Sequence, residues 1–153
     1  MKPANLLFIM SDEHNPKMLG CYGHDMVQTP NLDRLAASGT RFTAAYTNSP
    51  ICIPARASFA TGRYTHDTRC WDNAMPYEGE IRGWGHDLLD EGVRVDSIGK
   101  LHYRSEKENT GFSRQYHPMH VMDGIGQVWG SVRDPLPETR PAKMLNEIGQ
   151  GES

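Results

Sequence analysis

The sequence predicts an α/β protein in which a mostly parallel sheet is flanked by helices. Two observations carry that expectation. The run NLLFIMS at 5–11 is continuously apolar and bounded by polar residues, the pattern of a strand buried on both faces. Further on, a helical stretch at 81–92 leads directly into VRVDSIG at 93–99. Strands that alternate with helices imply parallel pairing beneath helical layers.

The elements follow in order. The first strand, 5–11, ends in Asp12-Glu13-His14. TPNLDRLAASG at 29–39 reads as a helix with Thr29 as cap, Pro30 at the first helical position and Gly39 at the stop. TRFTAAY at 40–46 alternates Phe42, Ala44 and Tyr46, as a strand does. Residues 54–61 form the next predicted helix, with Pro54 in its first turn and Gly62 closing it. In the helix at 81–92, Ile81, Trp84 and Leu88 share a face, and Gly83 and Gly85 interrupt it. The strand at 93–99 runs into Lys100-Leu101-His102. After Tyr103 the polar, Gly- and Pro-broken sequence predicts loop. The organised part is 1–103, and 104–153 is a loop-rich continuation.

Composition excludes several classes. The chain has 153 residues, room for one ordinary domain, and 37% hydrophobic residues. A net charge of -3, from 16 basic and 19 acidic residues, gives no basis for a nucleic-acid or membrane-surface protein. Cys21, Cys52 and Cys70 show no C-x-x-C spacing, so neither a disulfide framework nor a zinc ribbon is expected. The opening MKPANLLFIMSDEH lacks the pattern of a signal peptide. The expectation is a soluble, cytoplasmic protein.

Three polar clusters fall beyond predicted strand ends or at a helix mouth, where α/β sheets place ligands. Cys52 precedes Pro54, so it sits at or just before the N-cap of the helix at 54–61. There free amides and the helix dipole favour negative charge. Arg56 lies one turn along, and its planar donors suit a tetrahedral oxyanion. Lys100 and His102 are two apart; on extended chain they project to one side and can bind an oxyanion and protonate a leaving alcohol. Asp12 is a hard oxygen donor for Ca²⁺, Mg²⁺ or Mn²⁺. Cys21 and Cys70 read instead as small buried apolar residues. In HPMH, 117–120, the proline argues against a helix that would aim both histidines at one metal.

These residues carry a resemblance. Cys52-Ile53-Pro54-Ala55-Arg56, followed by Thr61-Gly62-Arg63, resembles the C-x-P-x-R…T-G-R signature of the type I, formylglycine-dependent sulfatases of the alkaline phosphatase superfamily. GVRVDSIGKLH at 92–102 resembles the second signature of that family, ending in G-K-x-H. NLLFIMSDEH resembles its opening strand and metal aspartate, and TPNLDRLAASGTRFTAAY the segment between. SPICIPARASF and WDNAMP look most like the choline-sulfatase and phosphonate monoester hydrolase branch.

The resemblance implies a partial alkaline-phosphatase-like sandwich with its later strands missing. It implies a sulfuric ester hydrolase. A formylglycine-generating enzyme would convert Cys52 to an aldehyde, whose hydrate attacks sulfur. Asp12, Glu13 and the modified Cys52 would hold a divalent metal, Ca²⁺ ahead of Mn²⁺ or Mg²⁺. Arg56 would orient the nucleophile, Lys100 would bind sulfate oxygens and His102 would assist proton transfer. The substrate would be a small-molecule sulfate ester, and full-length relatives would be homo-oligomers. This chain is expected to be an N-terminal portion, inactive alone. Ile53 stands where the family has a small residue, Ala60 where it has a large apolar one, and Glu13 where it has Asp or Gln. The alternatives are a phosphonate monoester or phosphodiester hydrolase, a non-catalytic remnant, or a cysteine-histidine hydrolase using the unmodified thiol.

Overall fold

In the computed structural model, residues 5–121 are described. The chain divides into two compact units, with the boundary after Tyr46.

The first unit is built on helix α1, Pro30–Ser38, and two 3₁₀ turns, Pro16–Met18 and Gly20–Tyr22. Pro30 opens α1 and Thr29 precedes it, as predicted, but the Thr29 hydroxyl does not cap the helix. It accepts the Gly20 amide at 2.9 Å and donates to Asp33 Oδ1 at 2.9 Å. Asp33 Oδ1 also accepts the Cys21 amide at 2.7 Å, so one carboxylate pins the second turn onto α1. The predicted strands at 5–11 and 40–46 do not form. Leu6, Leu7 and Ile9 are 88%, 81% and 78% exposed, and Tyr46 is 92% exposed. A strand needs a partner to satisfy its backbone, and among the described residues none pairs with either run.

The second unit contains helices α2 (Cys52–Thr61), α3 (Thr65–Thr68) and α4 (Trp84–Asp90), then strands β1 (Asp96–Lys100) and β2 (Arg114–Met119). Its core joins Ile53, Ala57 and Ala60 of α2 to Cys70, Tyr77, Tyr103 and Val121. The spacing 53, 57, 60 sets one stripe of a 3.6-residue helix against that cluster. Gly62, at φ 67°, ends α2 in the left-handed conformation that glycine favours, and its amide bonds the Ser58 carbonyl at 2.8 Å.

Helix α4 is shorter than the predicted 81–92, and the glycines that interrupt the pattern explain why. A Cβ on Gly83 would lie 2.0 Å from the Ala60 carbonyl oxygen, and one on Gly85 would lie 2.3 Å from that of Gly111. Gly83 therefore serves as N-cap, where the backbone of α2 runs against it. His86, buried, locks this corner. Its Nδ1 accepts the Gly83 amide at 3.1 Å, and its Nε2 donates to the Asn109 carbonyl at 2.9 Å, which fixes the neutral tautomer.

Strands β1 and β2 pair in parallel, with Asp96 opposite Arg114 and Ile98 opposite Tyr116. The parallel sheet is as predicted. The strand β2, however, lies in the stretch after Tyr103 that the sequence assigned to loop. Its polar residues and Pro118 hide it, since proline gives a ladder no donor. The register shifts between Ile98 and Lys100. Gly99, at φ 87°, makes that bulge possible.

A helix mouth and a strand end

The entry to α2 is a stitched loop. Thr47 Oγ1 donates to the Ser49 carbonyl at 3.0 Å, and Ser49 Oγ accepts the Ile51 amide at 3.3 Å. Cys52 is the first helical residue, after Ile51 as N-cap, so α2 begins earlier than the predicted 54. Cys52 is partly exposed and is a free thiol. Ile53 beside it is 1% exposed, which explains the large apolar residue at that position: it anchors the helix in the core.

The expected row of free amides at this helix mouth is not there. Pro54 has no N–H. The Ala55 amide closes the first helical bond, to the Ile51 carbonyl at 3.0 Å. The Ile53 amide is taken by Asn73 Oδ1 at 3.0 Å. Among the described residues only the Cys52 amide of this opening turn is left unbonded, so anion binding here draws mainly on side-chain cations. The sequence singles out the run WDNAMP, 71–76, for its resemblance but gives Asn73 no role, since its contact with Ile53 spans twenty positions of chain.

Arg56 is 8% exposed. Its Nη1 donates to the Lys100 main-chain carbonyl at 2.6 Å. This bond brings the middle of α2, one turn after Cys52, to the end of β1 at Lys100. The premise that the chain is still extended from Lys100 to His102 does not hold. Lys100 follows the bulge, and His102 sits at φ 59°, in the left-handed region, with its amide bonded to the Met119 carbonyl at 2.8 Å.

Asp12 and Glu13 belong to the first unit, in an exposed turn with Glu13 at φ 54°. Among the described residues no three His, Cys, Asp or Glu side chains gather to hold a metal ion. The described residues therefore do not by themselves make a closed coordination shell. Cys70 is buried, as expected, and burial raises its thiol pKa, which suppresses the thiolate. Cys21 is only half-buried. His117 and His120 lie on and just after β2 rather than on a helix. His120 Nε2 donates to Gln115 Oε1 at 2.8 Å, and burial lowers its pKa.

Fold and site thus define an α/β protein with a cysteine at a helix mouth, a buried guanidinium one turn later and a lysine at an adjoining strand end. Residues 4–132 match the family model described as Sulfatase. The chain belongs to the sulfatase family. It is similar to the N-acetylglucosamine-6-O-sulfatase of Bacteroides thetaiotaomicron, with 36% identity over 107 residues, 70% of this chain and 19% of that protein. It is 38% identical over 111 residues to the choline-sulfatase of Rhizobium meliloti, covering 72% of this chain and 22% of the relative. A solved structure of a protein in complex with its substrate D-glucosamine-2-N,6-O-disulfate matches with a TM-score of 0.65 and 34% identity, over 72% of this chain and 22% of that one. The phosphonate monoester hydrolase of Agrobacterium radiobacter shares the fold, with a TM-score of 0.55, 23% identity, and coverage of 70% and 24%. The fold is the partial α/β arrangement of alkaline-phosphatase-like sulfatases. The chain spans about a fifth of the length of the curated relatives it matches.

Proposed function

We propose that this chain carries the nucleophile of a sulfuric ester hydrolase. The observation that supports it best is the bond from Arg56 Nη1 to the Lys100 carbonyl. It joins the two signature segments, the helix that opens with Cys52 and the strand that ends in G-K-x-H.

In this reading Cys52 is converted to formylglycine by a maturation enzyme. The hydrated aldehyde supplies an oxygen nucleophile, with a second hydroxyl whose deprotonation lets sulfate depart. Arg56, one turn from residue 52, holds that turn against β1 and offsets negative charge beside it. Lys100 binds sulfate oxygens. His102 moves a proton to the leaving alcohol. Asp12 and Glu13, together with the modified residue 52, offer hard oxygen donors to a divalent cation, and such donors suit Ca²⁺, Mn²⁺ and Mg²⁺ alike; the resemblance puts Ca²⁺ first. The rest of such a shell is not among the described residues. The substrate class is a small-molecule sulfate ester.

The test uses the full-length protein. Mass spectrometry of the tryptic peptide 42–56 should show Cys52 converted to the aldehyde. Hydrolysis of an aryl sulfate should be lost in Cys52→Ala and on metal chelation. Faster turnover of phenyl phosphonate than of the sulfate would favour the phosphonate reading instead. Full activity of an unconverted thiol, insensitive to chelators and lost on alkylation, would overturn both.

A further inference from the structure

The backbone donors on both sides of residue 52 are tied down by side chains: the Ile51 amide by its near neighbour Ser49 at 3.3 Å, the Ile53 amide from further away. The side chain that holds Ile53 comes from another segment. Asp72 Oδ1 accepts the Ala74 amide at 2.7 Å, and the Met75 amide bonds the Asp72 carbonyl at 3.2 Å. This tight turn fixes the backbone around Asn73. Cys70 and Ala74, which flank Asp72 and Asn73 in sequence, are both buried. Asn73 Oδ1 then reaches the Ile53 amide at 3.0 Å. It does the work of an N-cap that Ile51, lacking a side-chain acceptor, cannot do. Pro54 already removes one amide from this end and stiffens it. Between them, Asn73 and Pro54 leave the peptide that joins residues 52 and 53 little freedom.

We infer that Asn73 is the positioning residue of the nucleophile: it sets the direction of the residue 52 side chain by holding the Ile53 amide. Its catalytic consequence rests on the reading of Cys52 given above. A reactive group displaced by about an ångström loses up to roughly a hundredfold in rate. A residue that positions the nucleophile, without binding ground-state substrate, acts on kcat rather than KM.

The experiment uses full-length protein with Cys52 converted and an aryl sulfate as substrate. Asn73→Ala should lower kcat roughly tenfold to a hundredfold, with KM within about threefold of the parent. Amide hydrogen exchange at Ile53, read by mass spectrometry, should accelerate in the same variant while exchange at Ala57 stays slow. Asn73→Asp keeps an acceptor oxygen and should restore most of kcat, with its added charge appearing as a raised KM for the anionic ester. Unchanged kcat in Asn73→Ala, unchanged exchange at Ile53, or an Asn73→Asp variant as slow as Asn73→Ala would each overturn the inference. An inactive parent overturns the hydrolase reading, and with it the catalytic consequence claimed for Asn73.

Discussion

Arg56 and Lys100 lie 44 positions apart in sequence, yet the guanidinium of one donates to the main-chain carbonyl of the other at 2.6 Å. The acceptor is backbone, so the identity of residue 100 does not decide the bond, whereas the identity of residue 56 does. Arg56→Ala would leave that carbonyl without this donor in a buried setting. A hydrogen bond to a charged group is worth about 1.5–3 kcal/mol, and a loss of that order is expected in denaturant unfolding. Arg56→Lys keeps the charge but not the planar fork, and should fall between. Lys100→Ala keeps the main-chain acceptor of this bond and, on the proposed function, should remove activity. Unchanged stability in Arg56→Ala would show that the bond does not hold α2 against β1.

Tyr77 and Tyr103 meet edge to face, with ring centroids 5.0 Å apart, in the core of the second unit. Burial pushes the Tyr77 hydroxyl up to about 12, with nearby Cys70 adding to it, and burial, then Tyr77, pushes that of Tyr103 higher still. The folded state thus favours both neutral phenols. The stability this contributes is fully present below the ordinary value of 10.0 and is lost as pH rises through the folded values. Unfolding midpoints should therefore be flat below pH 10 on this account and fall above it. Tyr103→Phe should flatten part of that alkaline limb. Phenolate absorbance should rise together with unfolding rather than before it.

How much of this was legible in the sequence varies with the range of the interaction. Helix α1 could be read because Pro30 and the apolar spacing act within a few residues. The Cys52–Arg56 relationship could be read because one helical turn fixes it. The Gly99 bulge and the left-handed His102 could not, and they remove the extended backbone on which the reading of Lys100 and His102 was based. Asn73 was missed because its partner is brought to it only by tertiary packing. The run at 5–11 was read as strand from its apolarity alone, but pairing depends on a neighbour, and no such neighbour is among the described residues. Strand β2 was missed for the opposite reason: its pairing with β1 overrides a polar, proline-bearing sequence.

Ile53 stands where the resemblance led to expect a small residue, and restoring one should do harm. The side chain is 1% exposed and sits in the core cluster with Ala57 and Tyr103. Truncation of a buried isoleucine leaves a cavity and costs about 2–5 kcal/mol. Ile53→Ala should show that loss in denaturant unfolding. Conversion of Cys52, followed separately in the 42–56 peptide, should not decrease. A variant as stable as the parent would mean that α2 does not depend on this anchor.

Gly83 offers the sharpest steric test. Its φ of -125° is open to any residue, so backbone strain is not at issue. What forbids a side chain is the Ala60 carbonyl, which a Cβ at position 83 would approach to 2.0 Å. The obstacle is backbone, which cannot swing aside as a flexible side chain would. Helix α4 or the end of α2 must shift, and overpacking of this kind costs about 1–3 kcal/mol. Gly83→Ala should lower the unfolding midpoint accordingly. Glycine at 92, also in a turn, has open space where its Cβ would be but lies at φ 74°. Gly92→Ala should therefore lose only the smaller cost of a left-handed alanine, about 1–2 kcal/mol. If Gly83→Ala is tolerated better than Gly92→Ala, the close approach of α2 and α4 is not what the structure describes.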